Sequence, residues 1–244
     1  MPLLQFIYKN IIIFLVASVA KFFETCYTKI VQVVKMKKNE KKFRVISLFS
    51  GAGGMDLGFI NAGFEIVWAN DFFKEAVESY KKNVDDRIVY GDITKIDSSE
   101  MPDDIDLVIG GFPCQGFSVA NTKRSMKDER NFLYKEMLRV IDDKKPKFFV
   151  AENVKGILSM KKGKVFEMIK KDFKKLGYDV DAKLLNAAEY GVPQARERVV
   201  IIGNRIGVKN PYPKPTHWVD SKKYESKEGL KDPVTVEETI GFLS

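Results

Sequence analysis

The run Gly110-Gly111-Phe112-Pro113-Cys114-Gln115-Gly116-Phe117-Ser118 places a cysteine just after the apolar stretch 106–109. Glycines leave space around that thiol, and Pro113 fixes the backbone before it. Once ionised, such a thiol attacks electrophilic carbon. A lone cysteine also serves as a small buried hydrophobe, but these surroundings favour the functional role. Glu152-Asn153-Val154 follows the apolar stretch 148–151, where a carboxylate faces the same crevice as Cys114 or serves as an acid at a helix start. Arg196 and Arg198 lie two apart in Gln194-Ala195-Arg196-Glu197-Arg198. An extended backbone aims both to one side, where they clamp an anion or a carbonyl or form an exposed ion pair.

A second group of residues points to a nucleotide-like ligand. Gly51, Gly53, Gly54 and Gly58 follow the apolar stretch 44–49. Such a turn lets a ligand approach the backbone and a helix N-terminus. The spacing is not the dinucleotide fingerprint, and a tight turn alone would need the same small residues. Asp71 follows Gly53 by 18 residues, at the end of the next apolar stretch. A carboxylate there commonly accepts from ribose hydroxyls, so the pair suggests an adenosine-containing cofactor. Asp92, in Gly91-Asp92-Ile93-Thr94, suits either an adenine amino group or a turn cap.

The scarce residues exclude several chemistries. The 244 residues include one histidine, His217, and two cysteines, Cys26 and Cys114. A structural zinc site usually needs four Cys or His ligands, so no metal is expected. A disulfide scaffold is unneeded in a core of this size. A serine triad would have to use His217 in a proline-rich segment. A zinc deaminase needs a second cysteine three positions on and a His-x-Glu partner, but position 117 is Phe and no such His exists. The charge is +8, from 41 Lys and Arg against 33 Asp and Glu. That excess favours a polyanionic partner, although a lysine-rich surface gives the same sum.

These groups need a frame. Strands are predicted over 44–49, 65–69, 88–90, 106–109, 148–151, 178–185 and 199–202. Helical patterns fall over 55–62, 72–83, 131–142 and 164–176. The alternation predicts an α/β fold with a mostly parallel sheet and helices on both faces. Three segments are expected: an apolar extension over 1–35 lying outside the fold, a catalytic domain over 36–207, and a tail or linker over 208–244. The apolar run 11–20 falls short of the roughly 20 residues that span a bilayer. A signal peptide or short anchor is the alternative for 1–35; no membrane partner is expected.

Taken together, Phe49-Ser50-Gly51-Ala52-Gly53-Gly54, Asp71, the Cys114 run, Glu152-Asn153-Val154 and Gln194–Arg198 resemble, in order, the motifs of the cytosine-C5 DNA methyltransferases of bacterial restriction-modification systems. The resemblance covers residues 44–205. It implies a Rossmann-like methyltransferase fold with S-adenosylmethionine as cofactor. Phe49, Gly51, Gly53, Asp71, Phe72, Asp92, Pro113 and Leu133 would hold the cofactor. Cys114 would add to carbon 6 of a cytosine, and Glu152 would hold or protonate ring N3. Arg196 would bind the base carbonyl, and Arg198 would support the site by ion pairing. Double-stranded DNA is the implied partner. Its target base must leave the stack to be reached, with Gln115, Ser118, Lys123, Arg124 and Gln194 against the substrate. The loop 116–128 would be a lid. The implied location is the cytoplasm.

The family continues into a target-recognition region and then a further cofactor motif, neither of which lies in these 244 residues. A second polypeptide carrying both is therefore expected, with a truncated product as the alternative. The resemblance also leaves room for a tRNA cytosine-C5 methyltransferase, and for a non-catalytic module that binds DNA or cofactor.

Overall fold

The computed structural model describes residues 42–113, 133–219 and 228–241. Seven strands form one sheet in the order β3-β2-β1-β4-β5-β7-β6. They are β1 (Arg44–Leu48), β2 (Glu65–Asp71), β3 (Ile88–Tyr90), β4 (Leu107–Gly110), β5 (Phe148–Val154), β6 (Asp179–Asn186) and β7 (Glu197–Asn204). The helices are α1 (Gly54–Asn61), α2 (Lys74–Asn83), α3 (Leu133–Lys144), α4 (Lys164–Lys175) and the short α5 (Val236–Ile240). Strands β1 to β5 pair in parallel. β7 runs antiparallel to both β5 and β6. The α/β fold with a mostly parallel sheet is as the sequence predicts, and β7 is its one reversed strand.

The central strands read as unbroken apolar runs because both sheet faces are covered. Alternate residues of one strand therefore enter different cores. Ile46, Leu48 and Val108 pack with Met137, Val140 and Ile141 of α3 and Ile169 and Phe173 of α4. Val45, Leu107 and Ile109 pack on the opposite face with Phe59 of α1 and Val77 and Tyr80 of α2. Each fully buried side chain of this size contributes about 1.5–3 kcal/mol. Between β5 and β7, the Phe149 ring lies over Gly203, its paired residue. A Cβ on Gly203 would sit 2.0 Å from the ring, so only glycine fits.

The stretch 208–244 begins with chain tied to the sheet. Asn204 Nδ2 donates to Val208 O and Asn210 Oδ1, both at 2.8 Å. Tyr212 is buried, and its hydroxyl donates to Asp181 O at 2.8 Å. His217 is also buried; its backbone N–H donates to Glu189 O at 3.0 Å.

The order of strands decides where a site can form. The chain leaves β1 for β2 and β3 on one side, then returns to β4 and β5 on the other. The crevice between the carboxyl ends of β1 and β4 is thus a topological switch point, where open α/β sheets bind ligands.

Candidate active site

Two segments open from the switch point. The first follows β1. Phe49 takes φ 55°, Gly51 φ 56° and Gly53 φ 89°, which turns the chain sharply before α1. A left-handed phenylalanine costs about 1–3 kcal/mol and marks a place where the fold tolerates strain. Asp71, at the end of β2, holds this turn. Its Oδ2 accepts from Gly51 N at 2.8 Å and its Oδ1 from Phe73 N at 2.9 Å. The carboxylate therefore ties the loops after β1 and β2 together at the rim of the crevice, with one lone pair per oxygen left for a ligand. The two glycines differ in purpose. A Cβ on Gly51 would meet open space, whereas one on Gly53 would strike Val84 and Tyr80. Gly51 keeps the backbone accessible, and Gly53 lets α2 pack.

Beside Asp71, the Phe72 ring is 61% exposed and edge-on to Phe73, with centroids 5.7 Å apart. Asp92 Oδ1 accepts from Thr94 N at 3.0 Å and Thr94 Oγ1 at 2.8 Å, so it caps the turn Ile93–Lys95. Leu133 opens α3 and packs against the core.

Below the first loop lies a buried polar chain. Asp56 Oδ1 accepts from Ser47 Oγ at 2.7 Å, and its Oδ2 accepts from Tyr80 Oη at 2.8 Å. Ser50 Oγ sits 2.9 Å from Ser47 Oγ. Burial pushes the Asp56 carboxyl up to about 6, against the pull of the Ser47 and Tyr80 hydrogen bonds. The same burial and the Asp56 charge push the Tyr80 phenol up.

The second segment follows β4 and runs through Gly111, Phe112 and Pro113 towards Cys114. Beside it stands Glu152, on β5. Its carboxylate pairs with Arg198, Nε to Oε1 2.6 Å, and each side chain is 25% exposed. The register explains the contact. Val154 pairs with Arg198 and Glu152 with Val200, so Glu152 and Arg198 are diagonal neighbours on one face of an antiparallel pair. Burial raises the Glu152 carboxyl above the ordinary carboxylate range, while Arg198 and then Arg196 oppose the rise. Gly111 leaves the carboxylate room: a Cβ there would lie 3.3 Å from Glu152 Oε2. Burial and the Arg198 charge lower Arg196, against the pull of Glu152. Asn186 Oδ1 accepts from Arg196 N at 3.1 Å and anchors the segment before β7. Gln194 is exposed on that segment.

Residues 43–241 match the family profile described as C-5 cytosine-specific DNA methylase. The chain belongs to this family. It is 46% identical over 216 residues to the type II methyltransferase M.NgoFVII of Neisseria gonorrhoeae, covering 87% of this chain and 56% of that protein. It is 42% identical over 223 residues to the type II methyltransferase M.AquIA of Picosynechococcus sp., covering 84% of this chain and 89% of that protein. Among solved structures, a prophage-encoded E. coli protein described as a DNA modification methyltransferase superposes with TM-score 0.63 at 30% identity, covering 82% of this chain and 54% of that one. The S. pombe Dnmt2 methyltransferase superposes with TM-score 0.58 at 25% identity, over 69% of this chain and 53% of that one. The chain spans about half the length of most of these relatives.

Within this C-5 cytosine methylase frame, Phe49, Gly51, Asp71, Phe72 and Asp92 line up along the carboxyl ends of β1, β2 and β3. Glu152 and Arg198 meet at the end of β5, with Arg196 close enough to act on Glu152 through its charge. Cys114, Gln115, Ser118, Lys123 and Arg124 lie outside the described residues, as does the stretch 1–35. Sequence reasoning missed Ser47, Asp56 and Tyr80, whose spacing carries no signal of their meeting. It also passed over Asn153, a polar residue inside the Glu-Asn-Val motif that turns out to be buried. Among the described residues, no helix is long and apolar enough to cross a membrane.

Proposed function

We propose that this chain is the catalytic half of a DNA (cytosine-5-)-methyltransferase of a restriction-modification system, acting on double-stranded DNA in the cytoplasm. The observation that carries the reading is the placement of Glu152. Arg198 holds it, Gly111 gives it room, and it stands beside the segment that leads to Cys114 at the switch point. The first crevice suits S-adenosylmethionine. Gly51 offers an open backbone, Asp71 retains lone pairs for ribose hydroxyls, and Phe72 presents an exposed ring. Asp92 uses Oδ1 for its own turn and keeps Oδ2 for an adenine amino group. Pro113 and Leu133 would close the crevice from the β4 side. When bound, S-adenosylmethionine supplies an electrophilic methyl group.

In this reading the Cys114 thiolate adds to carbon 6 of a flipped-out cytosine, forming a C–S bond. Glu152 places its proton on N3, so the ring electrons collect at carbon 5 rather than as charge on nitrogen. A raised carboxyl value suits that donor role. Arg196 binds the base carbonyl, and Arg198 keeps Glu152 in place. After carbon 5 has taken the methyl group, a water molecule takes the carbon 5 proton, the C–H electron pair re-forms the C5=C6 bond as the C–S bond breaks to free the thiolate, and N3 returns its proton to Glu152. Gln115, Ser118, Lys123, Arg124 and Gln194 are assigned to base and phosphate contacts. Target recognition is assigned to a second polypeptide. A relative of comparable length, M.AquIA, of which this chain covers 89%, supports that division.

The test is transfer of labelled methyl from S-adenosylmethionine to unmodified DNA, with tRNA assayed in parallel and the product base analysed. The polypeptide encoded downstream is added in a second arm. 5-Methylcytosine in DNA, abolished by Cys114→Ser, supports the reading. Transfer to tRNA alone, or cofactor binding with no transfer in either arm, overturns it in favour of an RNA enzyme or a non-catalytic module.

A further inference from the structure

Asn70, on β2 just before Asp71, is only 2% exposed. Its Nδ2 donates twice, to Val89 O and to Gly91 O, each at 3.0 Å. Both N–H bonds of the amide are thus spent on one neighbouring segment. That segment is β3, a three-residue strand at the edge of the sheet. Its ladder with β2 ends at the pair Asp71 and Tyr90, so Gly91 lies one residue beyond it, with Gly91 N donating to Asp71 O at 3.1 Å. Among the described residues, no other side chain hydrogen-bonds β3 or Gly91. Asp92 comes next and caps its own turn through Oδ1. On the other side, Asn70 O accepts from Ser50 N at 3.0 Å, inside the glycine turn. One residue therefore holds the loop after β1 with its carbonyl and the loop after β3 with its amide.

We propose that Asn70 is a positioning residue: its amide fixes the place of Asp92 relative to the glycine turn, and so sets the preference of the cofactor crevice for adenine over a base without the 6-amino group. The proposal rests on the cofactor reading given above, in which Asp92 Oδ2 meets that amino group. An amino group donates to a carboxylate, whereas the 6-oxo group of hypoxanthine sets one acceptor against another. Such a hydrogen bond weakens steeply with distance and angle, so a shift of the turn removes it. Contacts to the ribose, which both bases share, are left in place because Asp71 is held by Gly51 N and Phe73 N. A leucine at position 70 would fill much the same space yet donate nothing, leaving a three-residue edge strand to hold Asp92 by its backbone alone.

The experiment uses the full chain with Asn70→Leu and, where leucine prevents folding, Asn70→Ala. Calorimetry gives the affinity for S-adenosylhomocysteine and for S-inosylhomocysteine, which differ only in the base, 6-amino against 6-oxo. The wild type should bind the adenine form at least about tenfold more tightly. In the variant that preference should fall to about threefold or less. The fall should come from the adenine form, with affinity for the hypoxanthine form staying within about threefold of wild type. A purely structural role would lower the melting temperature or weaken both ligands alike. A variant that keeps the wild-type preference therefore overturns the proposal, whatever the melting temperature does. A wild type that binds neither form, or binds both equally, overturns the reading of Asp92 as the adenine contact, and the specificity with it. The hold of Asn70 on the Asp92 turn is then decided by amide hydrogen exchange over residues 91–95, which should be at least about tenfold faster in the variant. Equal exchange overturns that hold as well.

Discussion

Replacing Arg198 by Met removes the cation from Glu152 while keeping most of the side-chain volume. With charge centres about 4 Å apart and an effective dielectric near 20, the attraction is about 4 kcal/mol. The desolvation of both ions offsets more than half of it, leaving about 1–2 kcal/mol. The sign with pH follows from the direction of the shift. Glu152 has a folded value above its ordinary 4.5, because burial outweighs both arginines. Its stabilising share is therefore complete below about pH 4.5 and is lost as pH rises through the folded value. Without Arg198 the folded value climbs further, so the loss at alkaline pH grows. Urea denaturation of wild type, Arg198→Met, Glu152→Gln and the double variant measures this. At pH 8 the coupling energy should be about 1–2 kcal/mol, and near pH 4 it should approach zero. Equal losses from Arg198→Met at both pH values, or additive effects in the double variant, would refute the assignment of Arg198 as the charge that holds Glu152.

Three other outcomes follow from the structure. Gly203→Ala forces a methyl group into the Phe149 ring, and should cost about 3 kcal/mol by chemical denaturation. Asp56 is raised from 3.8 to about 6 by burial. Its share of stability, up to about 3 kcal/mol, should therefore fall away as pH rises from 4 to 6, and Asp56→Asn should flatten that slope in a thermal melt series. Asp71→Ala leaves Gly51 N and Phe73 N without their acceptor, and S-adenosylmethionine affinity by calorimetry should drop at least about tenfold, while the pH profile of Cys114 alkylation is unchanged.

The parts of this fold that were legible in the sequence are those with a local cause. Residues 107–109, 148–151 and 199–202 are apolar throughout because helices cover both faces, and each lies in a strand where the sequence predicts one. The glycine turn and Asp71 were legible because a strand end, small residues and a distant carboxylate have a common physical reason to occur together. What stayed hidden depends on partners far apart in the chain. Ser47, Asp56 and Tyr80 come from β1, α1 and α2, and nothing in their spacing reveals one buried chain of hydrogen bonds. Tyr212 and His217 lie in a proline- and lysine-rich segment that reads as a tail, yet both are buried. Tyr212 is held by backbone carbonyls of β6 and β7, and His217 packs on Glu189 and Gly191 between those strands, partners that composition does not report.

The direction of β7 was also beyond reach, and it has the largest consequence for the site. In a wholly parallel sheet, residues that precede a strand lie at its amino edge, the far side from the crevice. Gln194, Arg196 and Arg198 would then sit a full strand length from Glu152. Because β7 is reversed, its start lies against the end of β5, and the register Val154 to Arg198 brings the arginines to the edge where Glu152 stands. The two ends of the site are thus built by different means. The glycine-turn end is built from backbone N–H groups in a strained turn, fixed by one carboxylate from a neighbouring parallel strand. The Glu152 end is built from side-chain charges, and it can be so only where an antiparallel strand delivers its first residues to the edge at which its neighbour delivers its last.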